Sequence, residues 1–271
     1  MWSSGFLPST HEGVHFRSQG DPILNVSNPP GFDRQAQRES LDLIRTLNEQ
    51  QLGKVGDPEI ATRINAYVMA FRMQAEAPEV MDIGKETAAT RTAYGVDVEH
   101  TDEFGRQCLM ARRLVEAGVR FVQVNFSYPR NYWDAHGGLR DNHTTNAKKV
   151  DRPVAAMLKD LKARGLLEDT LVVFATEFGR TPAAQGTDGR DHHPHAFSMW
   201  MAGGGIRGGM TYGETDEFGY YVAENKVTVP DFHATILHTL GIDHERLTFR
   251  HAGRDYRLTD VHGHVVKEIL T

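Results

Sequence analysis

Three short stretches of the sequence gather side chains able to bind a cation. WDAHGG offers Asp134 and His136, TEFGR offers Glu177 and Arg180, and GRDHHPHAF offers Asp191, His192, His193 and His195. Histidine is abundant, with 14 in the chain, and His136, His143, His192, His193 and His195 crowd one region. Carboxylate oxygens with imidazole nitrogens are the usual protein ligands for Zn²⁺, Mn²⁺ or Fe²⁺, and more oxygen-rich sets suit Mg²⁺ or Ca²⁺. Each residue also has an ordinary role available. Glu177 could cap the turn that follows it, Asp134 could close an Asx turn, and His192 could be a solvated loop histidine. The tripeptide Glu-Phe-Gly recurs at Glu103–Gly105 and Glu217–Gly219, but only the middle copy follows an apolar run.

The elements around these stretches decide whether they can meet. Leu171–Ala175 has the length and composition of a strand buried on both faces, as in a parallel sheet covered by helices. Before it, DEFGRQCLMARRLVEAG reads as a helix (Phe104–Ala117) closed by Gly118, and VRFVQVNFSY as a strand (Val119–Phe126) that runs into a loop. DRPVAAMLKDLKARG (Arg152–Arg164) reads as the next helix, closed by Gly165. Strand, helix, strand of this length predicts a right-handed crossover and a parallel pair. Ligands in open α/β sheets collect at the carboxyl ends of the strands. Glu177, closing Leu171–Thr176, would then share an edge with Asp134, His136 and the histidine loop, ahead of a third strand at Phe197–Ala202. The fold class expected is α/β, a mainly parallel sheet with helices on both faces.

The rest of the chain reads as support. Residues 1–30 are rich in Pro, Gly, Ser and Asn and look like an extended wrapping segment; residues 31–100 look like a helical insertion, and 101–271 like the sheet core of a single domain. Helices are expected at Arg34–Gln50, with Leu41, Ile44 and Leu47 on one face, and at Pro58–Gln74 behind an Asp57 cap, where Met69, Phe71 and Met73 read as core. VPDFHATILHTLG predicts a helix Asp231–Leu240 capped at Asp231 and ended by Gly241, with Phe232, Ile236 and Leu240 inward and His233 and His238 as packing or surface residues. AGGGIRGG matches neither the Walker pattern nor a dinucleotide fingerprint, and reads as a tight turn.

Composition narrows the partners. The chain of 271 residues is 39% hydrophobic and 24% charged, with a formal net charge of −6. No Lys/Arg-rich run of the kind that tracks phosphates is present, which argues against nucleic acid. No apolar run approaches the ~20 residues of a membrane span. A single cysteine, Cys108, excludes an intrachain disulfide and a Cys-based zinc site.

Taken in order, WDAHGG, LKARGLLEDTLVVFATEFGRTP, GRDHHPHAFSMWMAGGGIRGG and VPDFHATILHTLGID resemble the carboxy-terminal half of the alkaline phosphatase and sulfatase superfamily. More closely they resemble the sulfatase-like proteins grouped as domain of unknown function 1501. GFLPSTHEGVHF and GRDYRLTDVHGHVV extend the likeness to nearly the whole chain. The resemblance implies an alkaline-phosphatase-like fold, with Asp134 and His136 binding one metal, although the spacing between the two is shortened. It places the strand-closing acid at Glu177, followed by Phe178 where the superfamily has His or Asn. The later metal histidine fits His193 best, with His192 and His195 as alternates. The strand ending in a metal-binding Asp and the Ser, Thr or Cys nucleophile have no counterpart, so the resemblance implies a carboxy-terminal fragment that is inactive in isolation. Cys108, in QCLMA, does not match the Cys-x-Pro-x-Arg stretch of sulfatases.

The activity so implied is metal-assisted hydrolysis of a small anionic phosphate or sulfate ester, with Zn, Mn, Mg or Ca as the ion and Arg180 neutralising developing charge. The alternative is a non-catalytic binding or scaffold protein of the same fold. An extracytoplasmic or periplasmic address follows from the resemblance alone, and the oligomeric state is left open.

Overall fold

The computed structural model describes residues 7, 13–17, 23, 28, 31–57, 60, 63–64, 67–68, 71, 77–126 and 133–271. The expected wrapping segment and the expected helix Pro58–Gln74 lie largely outside the described residues. The chain divides into two compact units, Met1–Arg91 with Leu109–Arg120 and Thr92–Cys108 with Phe121–Thr271.

In the first unit, helix α1 (Arg34–Val55) begins where Asp33 accepts a hydrogen bond from the Ala36 amide at 2.8 Å. Such a side-chain cap contributes about 1 kcal/mol. Arg38–Asp42 and Arg45–Glu49 pair along its surface. None of its residues is buried, and its apolar stripe of Leu43, Ile44 and Leu47 faces solvent. Helices α2 (Ala88–Tyr94) and α3 (Asp102–Glu116) each contribute residues to both units. The apolar centre of the first unit is Met81 with Leu109, Met110, Ala111 and Leu114 of α3.

A buried charge cluster sits beside it. The Arg112 side chain, 1% exposed, pairs with Glu86, 7% exposed, at 2.7 Å and with Glu116. Arg113 brings a second guanidinium to Glu86 and donates to the carbonyls of Val80 at 2.5 Å and Glu79 at 3.0 Å. Burial pushes the Glu86 carboxyl up, but the hydrogen bonds from Arg113 and Arg112 outweigh it and hold the group below its ordinary range.

The second unit is organised around α4 (Leu139–Ala163), 25 residues long. It starts well before the expected Arg152, taking in residues read as loop, and Pro153 lies inside it. Asp-Arg-Pro has the form of a helix start, but burial of Asn146, Pro153, Ala156 and Leu161 along one face offsets the hydrogen bond that an interior proline removes. Tyr94 fastens this helix by donating to Asp160 at 3.0 Å, as does Arg152 by donating to the carbonyl of Ala93 at 3.2 Å.

All strand pairing among the described residues is antiparallel and in twos. β1 (Val172–Phe174) and β2 (Gly179–Arg180) pair not with each other but with β4 (Trp200–Ala202) and β3 (His192–His193). β5 (Glu214–Thr215) pairs with β6 (Val222–Glu224). The mainly parallel sheet therefore does not form among the described residues. Val119–Phe126 takes no strand assignment, with Phe121 76% exposed. β1 is half-buried to exposed rather than covered on both faces, so its apolar run reflects pairing with β4 and the stacking of Phe174 on Trp200 at 5.5 Å.

The carboxy-terminal part follows its sequence signals with two corrections. Helix α5 (Val229–Thr239) is capped by Thr228, and Asp231 is the returning member of a capping box. Ala234, Thr235 and Leu237 form its buried stripe, while Leu240 is 51% exposed beyond its end. Burial pushes the Asp231 carboxyl up, and hydrogen bonds from Thr228 and the His264 amide overcome this to bring it down. The hairpin β7 (Thr248–His251) and β8 (Arg254–Arg257) follows it. No helix of the described residues is long and apolar enough to cross a membrane.

Candidate metal centre

Asp134 and His136 stand in the loop that leads into α4. Gly138, at φ 60, makes the turn into the helix without a side-chain cap. The loop is fastened to the turn Gln185–Arg190. Gln185 and Gly189 exchange both backbone hydrogen bonds, at 2.8 and 3.0 Å, which closes that turn. Asp188 then accepts from the Gly138 amide at 3.0 Å, and the Arg190 amide donates to the Ala135 carbonyl at 3.0 Å. The approach is close enough that a Cβ on Gly189 would lie 2.0 Å from the His136 carbonyl oxygen. Only glycine permits this docking.

The other half of the centre comes from the β2–β3 ribbon. Arg180 is paired with His192 and Gly179 with His193. Adjacent residues of a strand point to opposite faces. His192 is accordingly exposed on the face of Asp134, whereas His193 is 1% exposed and its Nε2 donates to the Tyr220 carbonyl at 2.7 Å.

Asp134, His136 and His192 converge. Asp134 Oδ1 lies 2.9 Å from His136 Nε2 and 3.0 Å from His192 Nε2, and the two nitrogens are 3.2 Å apart. With metal–ligand bonds of about 2.0–2.2 Å the edges of a coordination polyhedron are roughly 2.8–3.1 Å for an octahedron and roughly 3.3–3.6 Å for a tetrahedron, so the three spacings are close to those of ligands around one ion. Arg180 Nη2 donates to the same carboxylate oxygen at 2.6 Å. The His192 hydrogen bond first, and Arg180 second, hold the Asp134 carboxyl down at about 2. All four side chains are partly open to solvent. Phe178 packs on the His192 ring at 4.3 Å and lies under the Arg180 guanidinium at 5.9 Å, bracing both.

The remaining candidates are placed elsewhere. Glu177 is exposed, accepts a hydrogen bond from the Thr176 hydroxyl at 3.0 Å and stands outside the acid–histidine group. His195 packs against Tyr221, and His143 faces the Leu139 carbonyl at 3.1 Å in the first turn of α4. Asp191 accepts from the His192 amide at 2.8 Å. Sequence reading missed Gln185, whose side-chain oxygen lies 2.5 Å from His136 Nδ1. The Asp188-Gly189 dipeptide marks its turn, but nothing in the sequence says what that turn docks against.

A family model described as protein of unknown function (DUF1501) matches residues 1–270. The chain belongs to this family. No curated protein and no solved structure matches it. Both units of this DUF1501 chain lie within the match, so the centre is built from family sequence throughout.

Chemically, the DUF1501 centre offers one carboxylate oxygen and two imidazole nitrogens to a divalent cation. That donor set suits Zn²⁺ or Mn²⁺ better than Ca²⁺, which prefers six or more oxygens. Arg180 adds a fixed positive charge at the rim, able to meet an anion bound beside the cation.

Proposed function

We propose that this protein is a metal-dependent hydrolase of small anionic esters, phosphate or sulfate, in keeping with the likeness of its motifs to the alkaline phosphatase and sulfatase superfamily. The observation that carries the reading is the convergence of Asp134 Oδ1, His136 Nε2 and His192 Nε2 beside Arg180. With Nδ1 of His136 donating to Gln185, the neutral ring presents Nε2 to the site as a lone pair. A lone pair facing a carboxylate oxygen at 2.9 Å calls for a proton or a cation between them.

Asp134, His136 and His192 would hold the ion, which when bound supplies Lewis-acid polarisation of an ester oxygen. Arg180 would leave Asp134 for a second anionic oxygen of the ester, because a cation on Asp134 neutralises the charge that holds it. Phe178 would keep the guanidinium plane and the His192 ring in register during that exchange. Negative charge overall and the absence of a basic run favour a small substrate over nucleic acid.

Titration with Zn²⁺ and with Mn²⁺ tests the reading. Asp134→Ala and His192→Ala should abolish binding, while Glu177→Ala and His193→Gln leave it within a few-fold of wild type. Hydrolysis of aryl phosphate and aryl sulfate should then follow metal occupancy. Equal metal binding by wild type and Asp134→Ala would overturn the proposal. Metal binding without turnover of either ester would favour instead the second reading, a non-catalytic binding protein. That reading draws support from the position of Glu177, the carboxylate between β1 and β2, which stands outside the cluster.

A further inference from the structure

We infer that Gln185 is a positioning residue of the centre, which selects the metal-binding tautomer of His136. The inference rests on the reading of Asp134, His136 and His192 as a metal site. Its own geometry is separate from theirs. An amide oxygen is only an acceptor, so the 2.5 Å contact makes Nδ1 of His136 the donor and leaves Nε2 unprotonated in the neutral ring. Nε2 is the atom aimed at Asp134 and His192. Without Gln185, the favoured tautomer reverses: an Nε2–H would donate to Asp134 Oδ1, and the ligand atom would be blocked by its own proton.

The turn is built to hold this contact. Gln185 is fixed at the backbone by its paired hydrogen bonds with Gly189, and the same turn grips the His136 loop through Asp188 and Arg190. The amide therefore approaches the ring from a backbone already docked against the loop that carries the ring. His192 has no such partner: among the described residues no hydrogen bond reaches its Nδ1, and ring contacts with Phe178 at 4.3 Å and His136 at 4.9 Å orient it. The two histidines are thus unequal. His136 is prepared for a cation, and His192, whose Nε2 bonds to Asp134, must move a proton from Nε2 to Nδ1 to bind one.

The test uses the full chain with Gln185→Leu, which keeps size and removes the acceptor, and Gln185→Glu, which keeps the acceptor. Long-range ¹⁵N–¹H spectra of the metal-free protein report the tautomer directly. His136 should carry a proton on Nδ1 in wild type and Gln185→Glu, whether or not Nε2 is also protonated, and on Nε2 alone in Gln185→Leu. Zn²⁺ affinity should fall roughly 10–100-fold in Gln185→Leu, the range for loss of an outer-shell partner, and stay within about 3-fold in Gln185→Glu. An Nδ1–H tautomer persisting in Gln185→Leu would overturn the assignment, as would unchanged Zn²⁺ affinity in a variant background where His136→Ala still abolishes binding. If His136→Ala leaves Zn²⁺ binding intact, the metal site itself is wrong; the tautomer spectra still judge Gln185 by themselves.

Discussion

Among the carboxylates that face guanidinium groups, Glu86 and Asp134 differ chiefly in burial. Glu86 is almost wholly enclosed, met by Arg112, which also reaches Glu116, and by Arg113, which also donates to two backbone carbonyls. Asp134 is met by Arg180 and two histidines, all of them open to solvent. In the first cluster Glu86 and Arg112 are shut away from water, and removing either would strand a buried charge. In the second the partners can be exchanged, because water is at hand to solvate whatever is released. Burial turns the one arrangement into a structural joint. Exposure leaves the other available to a ligand.

The contrast is broken most easily at Glu86. Glu86→Ala should destabilise the protein by about 3–5 kcal/mol, since it leaves buried arginines uncompensated. Urea unfolding measures this, and a loss near 1 kcal/mol would mean that water reaches the cluster. Next in size is the ligand effect. Zn²⁺ at a hundredfold excess over its Kd should stabilise the wild type by about 2.7 kcal/mol through mass action, with no such gain in Asp134→Ala or His192→Ala. A melting temperature that rises equally in all three proteins would place the ion elsewhere.

How far the sequence made this legible depends on whether a feature is local. Asp134, His136, Arg180 and His192 were visible as residue types in three motifs, and those four do meet. The resemblance favoured His193, but it is His192 that meets Asp134, because a shift of one residue along a strand reverses the face and only the β2–β3 register settles it. Glu177 looked like a site residue because it ends an apolar run, but that run pairs with β4 in an antiparallel ribbon and its end does not meet the cluster. The helix stop at Gly241 held, because capping depends on a few adjacent residues. Pro153 misled, because tertiary burial overrode a local preference. Gln185 could not be found at all, since its role exists only once two loops have docked.

The smallest effect sharpens the comparison through pH. Both carboxyls are held below their ordinary values, so each contributes stability that is present above the unfolded pKa and lost as pH falls through the folded one. For Asp134 that loss runs from the ordinary carboxylate range down through about 2. Its worth is small, because an exposed pair contributes about 1 kcal/mol or less and salt screens it. Asp134→Asn should therefore lower metal-free stability at pH 6 by no more than about 1 kcal/mol, and the difference from wild type should shrink as pH falls and vanish only below about 2. Added salt should shrink the Asp134 effect and leave the Glu86 effect nearly intact, since buried charges are poorly screened. A salt-resistant loss of several kcal/mol in Asp134→Asn would show that the centre is also a structural joint, and that its partners are not free to exchange for a cation.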